Sequence, residues 1–218
     1  MGPSRTRLRA SAGYTLVELM VIVTIIGASV ILFAPGFSRA MADRRVSTAA
    51  RELIRLGRRA RSDTFGYLRA HLLWIQPATG RVQLLRGPTQ SCTTPAWAAI
   101  QADCAVSVSD MSAQRCLENI DFTAWAKGNA ISLREEALVG GAPAYNSVSR
   151  AICFAPSGQV FLGANNALAS AAAALSDLNS VNGGVVYTLH AGTGNPVVGT
   201  NVIHRVLFPL GSTPRALR

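Results

Sequence analysis

The segment GYTLVELMVIVTIIGASVILFA, residues 13–34, decides how the rest of this chain is organised. From Tyr14 to Ala34 it carries a single charge, Glu18. A helix of this length, at about 1.5 Å per residue, is roughly 32 Å long, which matches the hydrocarbon core of a bilayer. The residues before it include no acid and three arginines, Arg5, Arg7 and Arg9. The segment therefore predicts a membrane-spanning helix whose N-terminus stays in the cytoplasm.

Glu18 is the unusual residue of this segment. A carboxylate within an apolar span costs about 2.5–3.5 kcal/mol on insertion scales, so Glu18 is expected to have a partner or a task. The basic leader ends in Ala12-Gly13, directly before the apolar run. Cleavage there would leave the run intact, whereas an ordinary secretory signal is cut after its apolar region. It would also free an amine on Tyr14, which Glu18 of a neighbouring copy can neutralise. The alternative is a plain signal anchor with an acid near the membrane interface.

The stretch from Gly13 to Leu19 resembles the class III signal of type IV pilins and type II secretion pseudopilins, usually written GFTLxEL. Tyr14 stands where that signal usually has phenylalanine. The resemblance implies that a prepilin peptidase cuts between Gly13 and Tyr14 and methylates the new amine of Tyr14. It also implies that Glu18 helps each subunit to dock into a growing filament.

The helix is predicted to continue beyond the membrane segment. Pro35, followed by Gly36, matches the proline that often ends the membrane half of a pilin helix, and a kink is predicted there. From residue 38 to about 67, small and apolar residues recur at three- and four-residue steps, which indicates an amphipathic helix. This half is basic, and the arginines of interest on it are Arg51, Arg55, Arg58 and Arg59. They form either a solvated face or a surface for DNA or an acidic neighbouring subunit.

Beyond residue 70 the pattern changes to that of strands. Strands are predicted at 70–76, 81–85, 119–122, 130–134, 150–154, 159–162, 185–190 and 202–208, with a short helix or mobile loop at 168–178. One long helix followed by an antiparallel sheet predicts an α+β fold. The expected domains are a leader (1–13), a transmembrane helix (14–34), a basic amphipathic half-helix (35–69) and a β domain (70–218) with an insertion at about 87–118.

All the cysteines follow the predicted span: Cys92, Cys104, Cys116 and Cys153. They should therefore face the periplasm, where disulfides persist. Four cysteines allow three pairings. The favoured pairing joins Cys92 to Cys104 and Cys116 to Cys153. A zinc site is the alternative, but no CxxC pair and no nearby histidine supports it, so no metal or cofactor is expected.

Three later stretches extend the resemblance across most of the chain. Ala50–Leu53 with Arg58–Asp63 resembles the helix signature of the GspH/FimT group of pseudopilins. Ile152–Val160 is similar to its hairpin, and Val206–Gly211 to its closing strand. The resemblance implies a long N-terminal helix packed on an antiparallel sheet. Members of this group are low-abundance subunits that cap type II secretion pseudopili or prime type IV pili, and some bind DNA for uptake.

The sequence therefore predicts a minor pilin or pseudopilin in the bacterial inner membrane, single-pass, with its C-terminal domain in the periplasm until assembly into a filament. Its expected partners are the prepilin peptidase, other pilins or pseudopilins, the assembly platform and the membrane. The alternative is a DNA-binding minor pilin at a pilus tip, because the net charge is +10 and a basic chain suits nucleic acid. The arginines for such contacts are Arg205, Arg215 and Arg218.

No catalytic constellation is found in the sequence. The histidines are His71, His190 and His204, and the last two could face each other across the final hairpin, but no acid lies near either. Ser157 is not in a G-x-S-x-G elbow. The stretch 192–194 is a turn and not a phosphate loop, because no lysine or following helix completes it. The chain is expected to be a substrate of the peptidase and not an enzyme.

Overall fold

The computed structural model describes residues 14–93, 97–102, 104, 115–124, 131–139, 142–165, 167–173, 176–177, 185–192, 196, 203–208 and 215–217. The helices in this part of the chain are α1 (Leu16–Tyr67), α2 (Trp97–Ala102) and α3 (Leu168–Ala173). The strands are β1 (His71–Gln76), β2 (Arg81–Arg86), β3 (Cys116–Asp121), β4 (Ile131–Val139), β5 (Ala142–Asn146), β6 (Arg150–Phe154), β7 (Val160–Ala164), β8 (Ser176–Asp177), β9 (Val185–Ala191), β10 (Ile203–Phe208) and β11 (Arg215–Leu217). The chain divides into two compact units, Met1–Ala40 and Met41–Arg218.

The described strands of the second unit form two antiparallel sheets, which confirms the α+β class. The first sheet has the order β3-β2-β1-β6-β7-β8, and the second has the order β11-β10-β9-β4-β5. The sequence predicted one sheet. A period of two identifies a strand and its two faces, but it does not identify the strand's partner, so the division into two sheets was not foreseen.

The part of α1 in the second unit packs against both sheets. Its fully buried residues recur at three- and four-residue steps, as the sequence predicted, and they are Val46, Ala49, Leu53, Leu56 and Ala60. They share one core with the inner faces of the two sheets. Burial of an apolar stripe of this kind supplies most of the stability of a helix in a protein.

Strand β1 is buried on both faces, which explains why its sequence, HLLWIQ, reads as a continuous apolar run. Leu73 and Ile75 point into the core shared with α1. Leu72 and Trp74 point to the opposite face of the first sheet, where a second core lies. Residues of β2 and β6 contribute to this second core from the same sheet, and residues of the cysteine-containing insertion and of α3 pack over them. The insertion is therefore a cover for the outer face of the first sheet.

Two disulfides fasten this cover, and their pairing corrects the expected one. They join Cys92 to Cys153, with a Cα–Cα distance of 6.0 Å, and Cys104 to Cys116, at 5.1 Å. The predicted Cys116–Cys153 bridge is wrong because Cys116 lies on β3 and Cys153 on β6, three strand positions apart. At about 4.8 Å per strand this separation is roughly 14 Å, about twice the Cα–Cα limit of a disulfide. The predicted Cys92–Cys104 bridge is also wrong, because each of these cysteines pairs with a different one.

The predicted hairpins are confirmed. Strands β1 and β2 pair around Gly80, β6 and β7 around Gly158, and β9 and β10 pair as the closing hairpin. Gly80 has a φ of +68°, and a Cβ there would lie 2.7 Å from Cγ2 of Thr123. Both facts require glycine in this turn. Strand β4 runs further than predicted, and α2, β5, β8 and β11 were not predicted.

A buried ion pair joins the two sheets. Glu135 lies on β4 of the second sheet and Arg150 begins β6 of the first. Arg150 donates from Nε to Oε2 of Glu135 at 2.7 Å and from Nη2 to Oε1 at 2.6 Å. These hydrogen bonds raise the pKa of Arg150. Tyr187 lies opposite Glu135 on β9, and burial raises its pKa well above the usual range, so its hydroxyl stays neutral beside the pair.

Candidate functional site

The N-terminal half of α1 is the candidate site, and it begins with a defined cap. Thr15 precedes the helix, and its Oγ1 accepts a hydrogen bond from the backbone N–H of Glu18 at 3.3 Å. Threonine followed three residues later by glutamate is the sequence pattern of a capping box. A carboxylate in the first turn also interacts favourably with the helix dipole. Tyr14, directly before the cap, is exposed, whereas Gly13, its predicted cleavage partner, lies outside the described residues.

The functional residue that sequence reasoning missed here is Thr15. The signal that identifies it in the sequence is the Thr-x-x-Glu spacing of a capping box, which marks the start of the helix. Glu18 also takes part in the cap, because its backbone N–H donates the hydrogen bond to Oγ1 of Thr15. Experiments on Glu18 must therefore separate its carboxylate from its place in the cap.

Large apolar side chains are exposed on all sides of this half of the helix. They are Tyr14, Leu16, Val17, Leu19, Met20, Val21, Ile22, Val23, Ile25, Ile26, Val30, Ile31, Phe33 and Phe37. A helix that is hydrophobic all round belongs in a membrane or in the core of a larger structure. The described residues of the first unit offer no such cover, and a surface of this kind is suited to lipid or to other protein chains.

The polar side chains within this surface are satisfied by the helix itself. Thr24 donates from Oγ1 to the carbonyl of Val21 at 2.8 Å, and Ser29 donates from Oγ to the carbonyl of Ile25 at 2.7 Å. Internal satisfaction of polar groups is the condition for a helix in hydrocarbon. The carboxylate of Glu18 is therefore the group in this segment that gains most from an outside partner.

No single helix among the described residues has both the length and the hydropathy of a membrane span. Two successive stretches of α1, Leu16–Ile31 and Gly36–Tyr67, meet the criterion only together, as a bent pair. The break between them includes Pro35, whose side chain lies outside the described part of the chain. The kink at Pro35 and Gly36 stays a prediction.

Two of the arginines on the basic half-helix are bound within the chain. Arg55 and Arg59 both contact Glu118 on β3, and Arg59 does so from Nη1 to Oε2 at 2.7 Å. Arg55 also donates from Nε to Oε1 of Glu52 at 2.8 Å, and this bond raises the pKa of Arg55. Arg59 approaches Asp63 as well, at 3.4 Å. These contacts fasten the helix to β3 and already balance much of the charge of both arginines.

Arg51 and Arg58 differ from their two neighbours. Both are exposed, and neither forms a salt bridge with another described residue. They lie seven residues apart, which places them on the same face of the helix. Of the four predicted contact residues, these two are therefore the better candidates for an outside partner.

Of the three C-terminal arginines, Arg205, Arg215 and Arg218, the structure describes only the side chain of Arg205. Arg205 donates from Nε to Oε2 of Glu136 at 2.8 Å, and this bond raises its pKa. The same oxygen accepts a hydrogen bond from Oγ1 of Thr188 at 2.6 Å. Arg215 belongs to β11, but its side chain lies outside the described residues, as does the whole of Arg218. The predicted contact of these arginines with DNA stays a prediction.

The histidines do not meet in one site. Because β9 and β10 pair with His190 opposite Ile203 and His204 opposite Leu189, His190 and His204 point to opposite faces of the second sheet. The suggestion that they face each other is therefore wrong. His204 instead lies 2.9 Å from Oδ1 of Asp43 through its Nε2. Within the described ranges, no group of three or more histidine, cysteine, aspartate or glutamate residues is arranged to hold a metal ion.

His71 is buried and neutral. Its Nδ1 lies 3.0 Å from the carbonyl of Arg69 and 3.1 Å from Oγ1 of Thr64. Since a carbonyl can only accept, the proton is on Nδ1. Burial lowers the pKa of His71, and the positive charges of Arg86 and Arg59 act in the same direction, whereas the Arg69 carbonyl and the negative charge of Asp63 oppose it.

We expect this histidine to make the fold sensitive to mild acid. The unfolded chain takes up a proton near pH 6.5, while the folded chain does so only at a lower pH. Stability should therefore be complete above about pH 6.5 and fall by up to about 1.4 kcal/mol per pH unit below it. Urea unfolding of the detergent-solubilised chain from pH 5 to 8 measures this slope. A His71→Phe variant should show a flatter profile, and an unchanged slope in that variant would refute the assignment.

Comparison of the chain with protein-family models, with curated proteins and with solved structures finds no match.

Proposed function

We propose that this chain is a minor pilin or pseudopilin subunit with a pilin-like fold. It is cleaved between Gly13 and Tyr14 and methylated on Tyr14 by a prepilin peptidase. It then assembles into, or caps, a type II secretion pseudopilus or a type IV pilus. Before assembly its N-terminal helix is held in the bacterial inner membrane, with the C-terminal domain in the periplasm. Its partners are other pilins or pseudopilins and the assembly platform.

The observation that carries this proposal is the exposed apolar surface at the N-terminal half of α1, where Glu18 is the single charge between Tyr14 and Ala34. Such a surface suits two environments in turn, first lipid and then the helical core of a filament. Glu18 fits the second environment because a carboxylate among apolar helices requires a cation, and the amine of Tyr14 on the next subunit supplies one. A long helix followed by antiparallel sheets is compatible with this role.

Cleavage tests the proposal directly. We expect the protein recovered from membranes to begin at N-methylated Tyr14 when the prepilin peptidase is present, and to keep its leader when the peptidase gene is deleted. Intact mass and N-terminal sequencing distinguish the two forms. A Gly13→Leu variant, with a bulky residue at the cleavage site, is the control and should stay uncut in both strains. An uncut parent chain in the presence of the peptidase would identify a simple signal-anchored domain instead.

DNA binding at a pilus tip is the second candidate. The observation in its favour is the exposure of Arg51 and Arg58, since Arg55, Arg59 and Arg205 are engaged within the chain. Phosphate contacts weaken steeply with salt. The measurement that decides between the two candidates is therefore the salt dependence of DNA binding by the parent chain and by an Arg51→Gln/Arg58→Gln variant.

A further inference from the structure

The surface of the second unit has a cleft beside the turn between β6 and β7. Its volume is about 400 Å³, within the range of about 300–1,000 Å³ that is usual for small-molecule sites. One wall comes from the start of the insertion and the other from the β6–β7 hairpin. The lining residues are Gln90, Ser91, Cys92, Thr93, Ala155, Pro156, Ser157, Gln159 and Phe161. All of them belong to the described ranges, and none carries a charge.

A disulfide joins the two walls. Cys92 lines the first wall, and its partner Cys153 lies two residues before Ala155 of the second. Each wall is also fixed by a hydrogen bond of its own. The indole Nε1 of Trp97 donates to the carbonyl of Cys92 at 2.9 Å, and the N–H of Ala155 donates to the carbonyl of Gln159 at 3.0 Å. The cleft is therefore formed before any ligand arrives, which lowers the ordering cost of binding.

The floor of the cleft is apolar. Phe161 is half-buried, lies opposite Cys153 in the pairing of β6 with β7, and packs against the second core. Cys92 and Ala155, which line the same cleft, are buried. Such a floor suits the C–H groups of a ligand. It does not suit a charged group, which would lose hydration without gaining a counter-charge.

The rim of the cleft carries amides and hydroxyls with hydrogen-bonding capacity to spare. Gln90 is exposed and forms no hydrogen bond with another described residue. Oγ of Ser157 donates to Oε1 of Gln159 at 3.2 Å, which leaves the amide N–H groups of Gln159 for a ligand. Oγ of Ser91 lies 3.1 Å from Oγ1 of Thr93, and each hydroxyl oxygen has two lone pairs. These groups match ligand hydroxyls, which also both donate and accept.

We propose that this cleft binds a neutral carbohydrate. A pyranose ring has an apolar C–H face for the floor and hydroxyls along its edge for the rim. An extended peptide suits the cleft less well, because it would need the free backbone groups of a strand edge, and the backbone of the β6–β7 hairpin is paired within itself. Phosphates and carboxylates are disfavoured because no lining residue is a cation. This inference does not depend on the proposed function.

Neutral disaccharides test the site on the full chain in lipid nanodiscs, which are prepared without sugar-based detergent. The probes are maltose, cellobiose, lactose and N,N′-diacetylchitobiose, and saturation-transfer difference NMR measures their binding. At least one should bind saturably. Its analogue with a carboxylate in place of one hydroxymethyl group should bind at least about fivefold more weakly, because the cleft offers the charge no partner. Failure of all four to bind would overturn the proposal, as would a blocked serine–asparagine hexapeptide that displaces every bound sugar.

A Gln90→Ala variant shows whether binding takes place in this cleft. Because the Gln90 side chain is exposed and makes no hydrogen bond within the described chain, the variant should fold as the parent does. It should bind the sugar about fivefold or more weakly. The matched control is Gln76→Ala. Gln76 ends β1, whereas the cleft lies beyond Phe154 of β6, which pairs with the start of β1, so the control should bind normally. Unchanged binding by Gln90→Ala would refute the site.

Two disulfide variants test the contribution of the walls. Cys92→Ser/Cys153→Ser removes the bridge between the walls and should weaken sugar binding by at least about tenfold. Cys104→Ser/Cys116→Ser removes the other bridge of the insertion, whose cysteines do not line the cleft, and should bind as the parent does. Binding of parental strength by the first variant would contradict a site built from these two walls. If that variant does not fold, Gln90→Ala alone decides.

Discussion

A chain carrying Glu18→Gln is expected to be cleaved, methylated and inserted like the parent chain, yet to be nearly absent from filaments. Glutamine has almost the same size and keeps the cap, because the bond to Thr15 comes from the backbone N–H of residue 18. What the variant lacks is the negative charge that, in the proposed assembly, pairs with the amine of a neighbouring Tyr14. Removing one partner of a buried ion pair costs about 3–5 kcal/mol, so incorporation should fall by about a hundredfold or more.

Immunoblots of sheared filaments and of membranes, compared with those of the parent, measure this loss. Two controls on the same segment show which property of Glu18 matters. Thr24→Val removes a polar group whose bond is internal to the helix, and it should assemble normally. Thr15→Val removes the cap and leaves the carboxylate, so normal assembly of this variant would assign the effect to charge. If Glu18→Gln enters filaments as the parent does, the carboxylate has no assembly role and the simple anchor becomes the better interpretation.

The sequence was sufficient to predict the long helix and most of the strands. The buried face of α1 follows from spacing alone, because Val46, Leu53 and Ala60 recur at a helical period and all prove buried. Strands β1 and β6 were found within a residue of their observed bounds, since each is a short apolar run between turn residues. Signals of this kind depend only on residues that are close in sequence, so they can be recognised without knowledge of the folded structure.

Long-range partners could not be derived in the same way. The cysteine pairing depends on the order of strands in the first sheet, and nothing in the spacing of Cys116 and Cys153 shows that two strands lie between theirs. Helix α2 was missed because its place is fixed by contacts distant in sequence, among them the second core that it shares with β1. Gln101 of α2, for example, donates from Nε2 to Oε1 of Gln83 on β2 at 2.8 Å.

The candidate site was predictable in part. Tyr14 and Glu18 were singled out from the sequence, and their exposure on a capped, apolar helix is consistent with a surface made for other chains. The basic face was harder to interpret, because a sequence shows charges but not their neighbours. Arg55 and Arg59 looked equivalent to Arg51 and Arg58 until Glu118 on β3 proved to bind the first two.

Glu135 was not singled out from the sequence, yet its replacement is expected to cause a large loss of stability. In a Glu135→Gln chain the amide can accept only part of the hydrogen bonding that the Arg150 guanidinium offers. The guanidinium charge then stays half-buried between the two sheets without a counter-charge. Leaving such a charge unpaired should lower the free energy of unfolding by about 3 kcal/mol. Urea unfolding of the detergent-solubilised chain, followed by tryptophan fluorescence, measures the change.

Two companion variants separate the cost of an unpaired buried charge from the value of the pair itself. Glu118→Gln makes the same chemical change on the partly exposed contact with Arg55 and Arg59, where about 1 kcal/mol or less is expected. A double variant, Glu135→Leu/Arg150→Met, replaces the pair by apolar groups and should unfold within about 1 kcal/mol of the parent, because the buried charge is gone together with its partner. If the double variant is as unstable as Glu135→Gln, the two sheets are held together by the ion pair and not by the core around it.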